Sequence, residues 1–212
     1  VLSLGPKFIP QQVKKPEAIV GNDNPVVQLK MVWPENLLQN PPEVKLPAGY
    51  NLRTFQAGDE AQFYRLMELA GWPGWDAEQL RPWQEAGFED CWFFAVETVS
   101  GKIVASAMGV HDPTDPNPEG SELGWVAGDP DHAGRGLGRA VCAAVTRRLI
   151  ELGRRDIYLN TDDWRLPALK TYFKLGYVPL LFLPEMAERW QVICGQLDWP
   201  FTPEKWPTTR IK

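Results

Sequence analysis

The chain has 212 residues, 44% hydrophobic and 23% charged, which is ordinary globular composition and enough to bury a core. A net charge of -5 excludes a generic nucleic-acid binder, which needs a basic surface to neutralise phosphates. Pro (20) and Gly (18) together stay below low-complexity levels, so general disorder is excluded, and so much proline excludes a bare helical bundle. Three cysteines, Cys91, Cys142 and Cys194, are far apart, with only His111 and His132 available to join them. No metal site or disulfide framework follows from that spacing, and the cysteines read as reduced core residues. No apolar run reaches the ~20 residues of a membrane span. A cytoplasmic protein with neither membrane nor nucleic-acid partners is expected.

Residues 1–47 hold eight of the 20 prolines and are expected to form an extended, Pro-rich N-terminal arm with polyproline II character. Val26, Val27, Leu29, Met31, Val32 and Trp33 are too apolar for a solvated tail. They should lie against the domain, or against a second subunit in a homodimer. The domain itself is expected over 48–183, with a C-terminal helix and Trp/Pro-rich tail over 184–212.

Within the domain, Tyr50–Phe55 alternates and suits a strand. A helix is expected from Gly58–Asp59 to about Ala70, ended by Gly71, Pro73 and Gly74. Asp76 and Gln79 have capping-box spacing at the start of a second helix, which contains Pro82. Cys91–Glu97 and Lys102–Val110, joined by Thr98–Gly101, read as a hairpin of central strands, being apolar on both faces. His111–Gly120 reads as an exposed loop and Ser121–Gly128 as a strand. Arg135–Leu152 is an amphipathic helix stopped by Gly153. Asp156–Thr161 should be a strand, Leu166–Leu175 a helix, Tyr177–Phe182 a strand and Met186–Leu197 a last helix.

The strongest local signal is the run from Asp129 to Ala140, where Gly134, Gly136 and Gly138 alternate between a strand and a long helix. Such glycines let the backbone turn sharply and approach a ligand closely. The first N–H groups of the helix lack internal partners and favour an anion, and Arg135 and Arg139 add positive charge. A phosphate or pyrophosphate fits. The spacing does not match the dinucleotide fingerprint, since Arg139 stands where its last Gly is needed, and no Walker string is present.

In its order of elements and in two motifs, the stretch from about residue 50 to 182 resembles the GNAT superfamily of acyl-CoA-dependent N-acetyltransferases. The first motif is Arg135-Gly136-Leu137-Gly138, with Ala133 where Gln or Arg is usual. The second joins Ala168, Tyr172, Lys174, Gly176 and Tyr177, with Arg165 where Asn is frequent. The resemblance implies an α/β fold with a mixed, mostly antiparallel central sheet and flanking helices. It implies acetyl-CoA as co-substrate, with Val126, Ala127 and Gly128 along the pantetheine arm. Gly134, Arg135, Gly136, Leu137, Gly138 and Arg139 would hold the pyrophosphate.

Acetyl transfer needs a neutral amine, a donor for the oxyanion and a proton for the leaving thiolate. Tyr172, at the family's position, is the candidate acid. Glu122 is the first candidate base, reaching the amine through water. A regular strand would point it to the same face as Val126, four residues on, and a bulge between them would reverse this. His111 and Glu97 are fallback bases. Trp72, Trp75 and Trp83, with Trp125 and Trp164, are candidates for an aromatic wall around an unidentified amine acceptor, although core packing accounts for the first three equally well. Asp162 and Asp163 are expected to cap the helix that follows, the alternative being that they pair with a cationic acceptor. The alternative reading is a non-catalytic acyl-CoA-binding sensor on the same fold, with arm and tail as partner surfaces.

Overall fold

The computed structural model describes residues 27–111 and 119–209. Residues 1–26 of the expected arm and most of the His111–Gly120 loop lie outside the described residues.

The first described element is β1 (Leu29–Val32). After it come β2 (Tyr50–Thr54), α1 (Glu60–Leu69), α2 (Ala77–Glu85), β3 (Gly87–Glu97) and β4 (Ile103–Val110). The chain continues through β5 (Gly120–Gly128), α3 (Leu137–Glu151), β6 (Asp156–Thr161), α4 (Leu166–Leu175), β7 (Val178–Pro179) and α5 (Met186–Leu197). The described strands make one seven-stranded sheet in the order β2-β3-β4-β5-β6-β1-β7. Every neighbouring pair is antiparallel except β5 and β6. The expected α/β class and mostly antiparallel sheet are thus observed.

Local chemistry accounts for much of this. The Asp76 carboxylate accepts the Gln79 N–H at 3.0 Å and starts α2. Pro82 removes one helical N–H, yet α2 runs on to Glu85. All eight residues of β4 are buried, as a strand with neighbours on both edges and helices over both faces requires. On one face lies α3, whose small Ala140, Ala143 and Ala144 let it approach closely. On the other lie Phe63, Leu66 and Met67 of α1 with Leu80 of α2.

Three expectations change. Leu29–Val32, assigned to the arm, forms a strand inside the sheet, paired with β6 from Leu29↔Thr161 to Val32↔Tyr158. Leu29 and Met31 are fully buried on the α3 side, and burial of each such side chain is worth about 1.5–3 kcal/mol. On the opposite face Lys30 Nζ sits 4.5 Å from the Tyr158 ring centroid. The boundary expected at residue 48 therefore does not separate an appendage from a domain. The tail is likewise part of the core: Trp190 and Trp206 are buried, and Phe173 stacks on Trp199 at 5.1 Å. Those aromatic groups are used in packing and are not available as a partner surface. Lastly, the strand expected over Tyr177–Phe182 shrinks to Val178–Pro179: the Leu180 N–H still bonds the Lys30 carbonyl at 2.9 Å, but the Leu181 N–H turns to the Pro207 carbonyl at 2.8 Å.

The parallel seam between β5 and β6 is short. It runs from Gly120↔Asp156 through Ser121↔Ile157 to Glu122↔Tyr158 and stops. Beyond it β5 continues beside β4 alone and β6 beside β1, so the two strands part.

Candidate active site

Along the open stretch, β5 carries a bulge. Ser106 faces Ala127 and Met108 faces Gly124, so β5 has one residue more than β4 there. Trp125 takes up the excess with φ of 50°, an uncommon value for a bulky side chain. The bulge changes the strand's phase. Leu123 and Val126 both pack on the α3 side, while Trp125 and Ala127 face α1 and α2. Glu122 shares its face with Gly124, where an added Cβ would lie 3.8 Å from Glu122 Cγ. The regular-strand expectation that Glu122 and Val126 share a face is thus overturned.

At the end of β5, the Asp129 N–H bonds the Val104 carbonyl at 2.8 Å. Antiparallel ladders alternate, so Ala127 directs its backbone groups to β4 and Gly128 directs its groups into the gap. The Asp129 carboxylate is buried, accepts the Asp131 N–H at 3.0 Å and pairs with Arg65 of α1. Burial alone would raise its pKa, but the Asp131 N–H and Arg65 outweigh burial and lower it. This buried hub fixes where the glycine loop leaves the sheet. Nothing in the sequence spacing linked Arg65 to it.

Gly134 and Gly136 adopt φ of 75° and 82°, which side chains rarely take. Gly136 is the N-cap of α3 and no side chain caps that helix end. Residues 133–136 are exposed, and a Cβ on Gly134, Gly136 or Gly138 would meet nothing within 4 Å. The loop is therefore an open cradle of N–H groups at a helix N-terminus, which suits a pyrophosphate. Leu137 turns into the core. Arg139 is exposed. Arg135 Nη1 donates to the Tyr50 hydroxyl at 2.6 Å, and that hydroxyl also hydrogen-bonds His132 Nδ1 at 2.8 Å. The Arg135 charge is held at the edge of the loop by a contact that sequence reading missed.

Glu122 occupies the last paired position of the seam and accepts from Asn160 Nδ2 at 3.1 Å. Tyr172, on α4, packs in the α3-side core and is 5% exposed. Burial pushes the phenol's pKa well up; nearby Cys142 adds to this, Arg165 opposes it, and Tyr177 and Glu122 add again. Glu122 and Tyr172 thus lie on opposite faces of the sheet, close enough for the carboxylate's charge to act on the phenol. The fallback bases have other roles. His111 Nδ1–H donates to the Gly120 carbonyl at 2.9 Å, and Glu97 accepts from Ser100 at 2.6 Å in the hairpin turn.

The tryptophans converge on the bulge. Trp125 lies 4.6 Å from Trp75, 4.7 Å from Trp83 and 6.1 Å from Trp72, centroid to centroid. Trp75 is buried, while Trp72 and Trp83 are half-buried. Asp162 and Asp163 do not cap α4, which has no side-chain cap. Asp162 instead accepts from Arg165 and Gln28, and Asp163 pairs with Arg189.

Comparison with known proteins agrees with this fold. The model of the acetyltransferase (GNAT) family matches residues 58–177. A mycothiol acetyltransferase of Saccharomonospora viridis is 32% identical over 148 residues, 64% of this chain and 48% of its own length. That of Amycolatopsis mediterranei is 33% identical over 157 residues, 68% of this chain and 49% of its own. The chain spans about half the length of the curated relatives it matches. Among solved structures, a GCN5-related N-acetyltransferase from Sphaerobacter thermophilus has a TM-score of 0.57 at 27% identity, covering 72% of this chain and 49% of that one. With the matched span running from the start of α1 past α4, and taking in the glycine loop, the gap and Tyr172, the chain belongs to the acetyltransferase (GNAT) family.

Proposed function

We propose that the chain transfers acetyl from acetyl-CoA to a primary amine by direct attack. The observation that supports this best is the parted β5–β6 pair, with an uncapped glycine cradle following β5 and Glu122 at the last paired position. Acetyl-CoA supplies an activated thioester when bound. Gly134, Gly136 and Gly138, with Arg135, Leu137 and Arg139, would hold its pyrophosphate. The backbone of Val126, Ala127 and Gly128 would flank its pantetheine arm, much as a strand adds to an open sheet edge. Of these, Gly128 has the backbone groups best directed for pairing.

Glu122 takes a proton from the amine, directly or through water, and Asn160 holds its carboxylate in position. As the C–N bond forms and the C–S bond breaks, a β5 backbone N–H stabilises the oxyanion and Tyr172 gives its proton to the departing sulfur. Burial keeps the phenol protonated at neutral pH, and the nearby Arg165 charge limits how far its acidity is suppressed. The Trp72, Trp75, Trp83 and Trp125 cluster lies beside the bulge, where an acceptor would enter. The similarity to mycothiol acetyltransferases supports a small-molecule acceptor.

Gly138→Glu is the test of cofactor binding. Unlike Gly136, Gly138 has no positive φ, and its Cβ position is open, so the fold tolerates the change. The glutamate would set negative charge in the pyrophosphate cradle. Loss of acetyl-CoA binding, at least a hundredfold, is expected by calorimetry. Undiminished affinity would overturn the reading. Acetyl-CoA binding by the unaltered chain without thiol release to any amine would favour the sensor instead.

A further inference from the structure

The reading above leaves one charged group unexplained. Arg165, the N-cap residue of α4, lies over two indoles, 4.6 Å from the Trp72 ring centroid and 4.4 Å from that of Trp164. Its side chain is only 18% exposed. Its Nε bonds Asp162 Oδ2 at 3.3 Å, and Asp162 is shared with Gln28. No described residue accepts a hydrogen bond from its two terminal nitrogens. Those nitrogens are not sealed from solvent. Trp72 belongs to the α1–α2 connection and touches Trp125 at the bulge. The guanidinium is therefore linked to the tryptophans at the bulge through Trp72, and its charge acts on the Tyr172 phenol.

A guanidinium held flat by stacking, with Nε anchored and its outer edge free, is preorganised to grip a planar anion through two parallel N–H bonds. Other acidic groups nearby are already engaged. Asp163 pairs with Arg189 and Glu122 takes Asn160. Resting on the proposed transfer reaction, we propose that Arg165 recognises a carboxylate on the acceptor, which makes the substrate class an amine that also carries a carboxylate, such as a free amino acid. Trp72 and Trp164 then cover the apolar remainder on either side of the anion.

The test compares amino acids with their C-terminal amides as acceptors. The amide has the less basic amine, so intrinsic reactivity at neutral pH favours it, and a preference for the acid must come from the protein. The unaltered chain should prefer the acid at least tenfold in kcat/KM. Arg165→Met should bring that ratio down tenfold or more, and Arg165→Lys, which keeps charge without the fork, should fall between. A ratio unmoved in both variants overturns the proposal. So does a loss of acetyl-CoA affinity in Arg165→Met that matches the loss in acceptor kcat/KM, since that assigns the arginine to the cofactor. Failure of the transfer reading gives a different pattern: no thiol release with any amine. Calorimetry with N-acetyl amino acids and their amides then decides the carboxylate site on its own. Tighter, Arg165-dependent binding of the acid supports it, and equal binding overturns it.

Discussion

From β2 to β5, each strand pairs with its neighbour in sequence, once across a turn as short as Thr98–Gly101; from β6 to β7, the sheet is completed by Leu29–Val32, which comes from the far end of the chain. The first half is local and closes on itself. The second half depends on a four-residue strand whose partner lies more than a hundred positions away. Only three residue pairs join the halves, and the candidate site begins where that seam ends. The comparison teaches that the gap exists because neither strand at the seam lacks a partner: β5 is held by β4, and β6 by β1.

Breaking the distant strand should have the largest effect. Met31→Asp buries a charge at a position with no exposure, and a loss of about 4 kcal/mol or more is expected in chemical denaturation. Asn51→Asp, exposed on the edge strand β2, should stay within about 0.5 kcal/mol. Equal effects would mean that the two halves do not differ as described. Next, at the seam, Tyr172→Phe should lower kcat about a hundredfold with acetyl-CoA affinity unchanged, as expected for loss of a general acid. An unchanged rate would make Tyr172 a packing residue of the second half.

A small, pH-dependent loss belongs to the local half. Asp59 accepts two hydrogen bonds from Arg53, at 2.5 and 2.8 Å, and one from the Gln56 N–H at 2.8 Å. Burial raises the carboxyl's pKa, but these donors outweigh it and leave the pKa lowered. A lowered folded-state value stabilises above the ordinary carboxylate range near ~4, and the contribution is lost as pH falls through the folded value. Asp59→Asn should therefore cost about 1 kcal/mol at neutral pH, with the two stability curves converging on acidification. A constant offset at all pH values would show that the ion pair is not the cause.

What the sequence made legible follows the same division. The limits of β6, α4 and α5 agree with their hydrophobic periods, because periodicity and caps are local properties. β1 was not legible: four residues among prolines look like an arm until β6 and β7 offer them edges. The glycine cradle was visible as a motif, Tyr172 came from the family resemblance, and Glu122 from its place on the strand four residues before Val126. The Trp125 bulge was not visible, since its cause lies in a mismatch between two strands. Neither was the Trp72–Arg165 contact, which joins residues brought together only by the packing of α1 and α4 around the gap.

The bulge at Trp125 acts as a change of reading frame in the strand. Upstream of it, even-numbered residues look toward α1 and α2; downstream, odd-numbered ones do. A strand with the same glycine loop but one residue fewer would deliver that loop turned over, its N–H groups presented to the wrong layer. The loop's orientation is therefore set upstream of the loop, by the backbone of a residue whose side chain is occupied with other tryptophans.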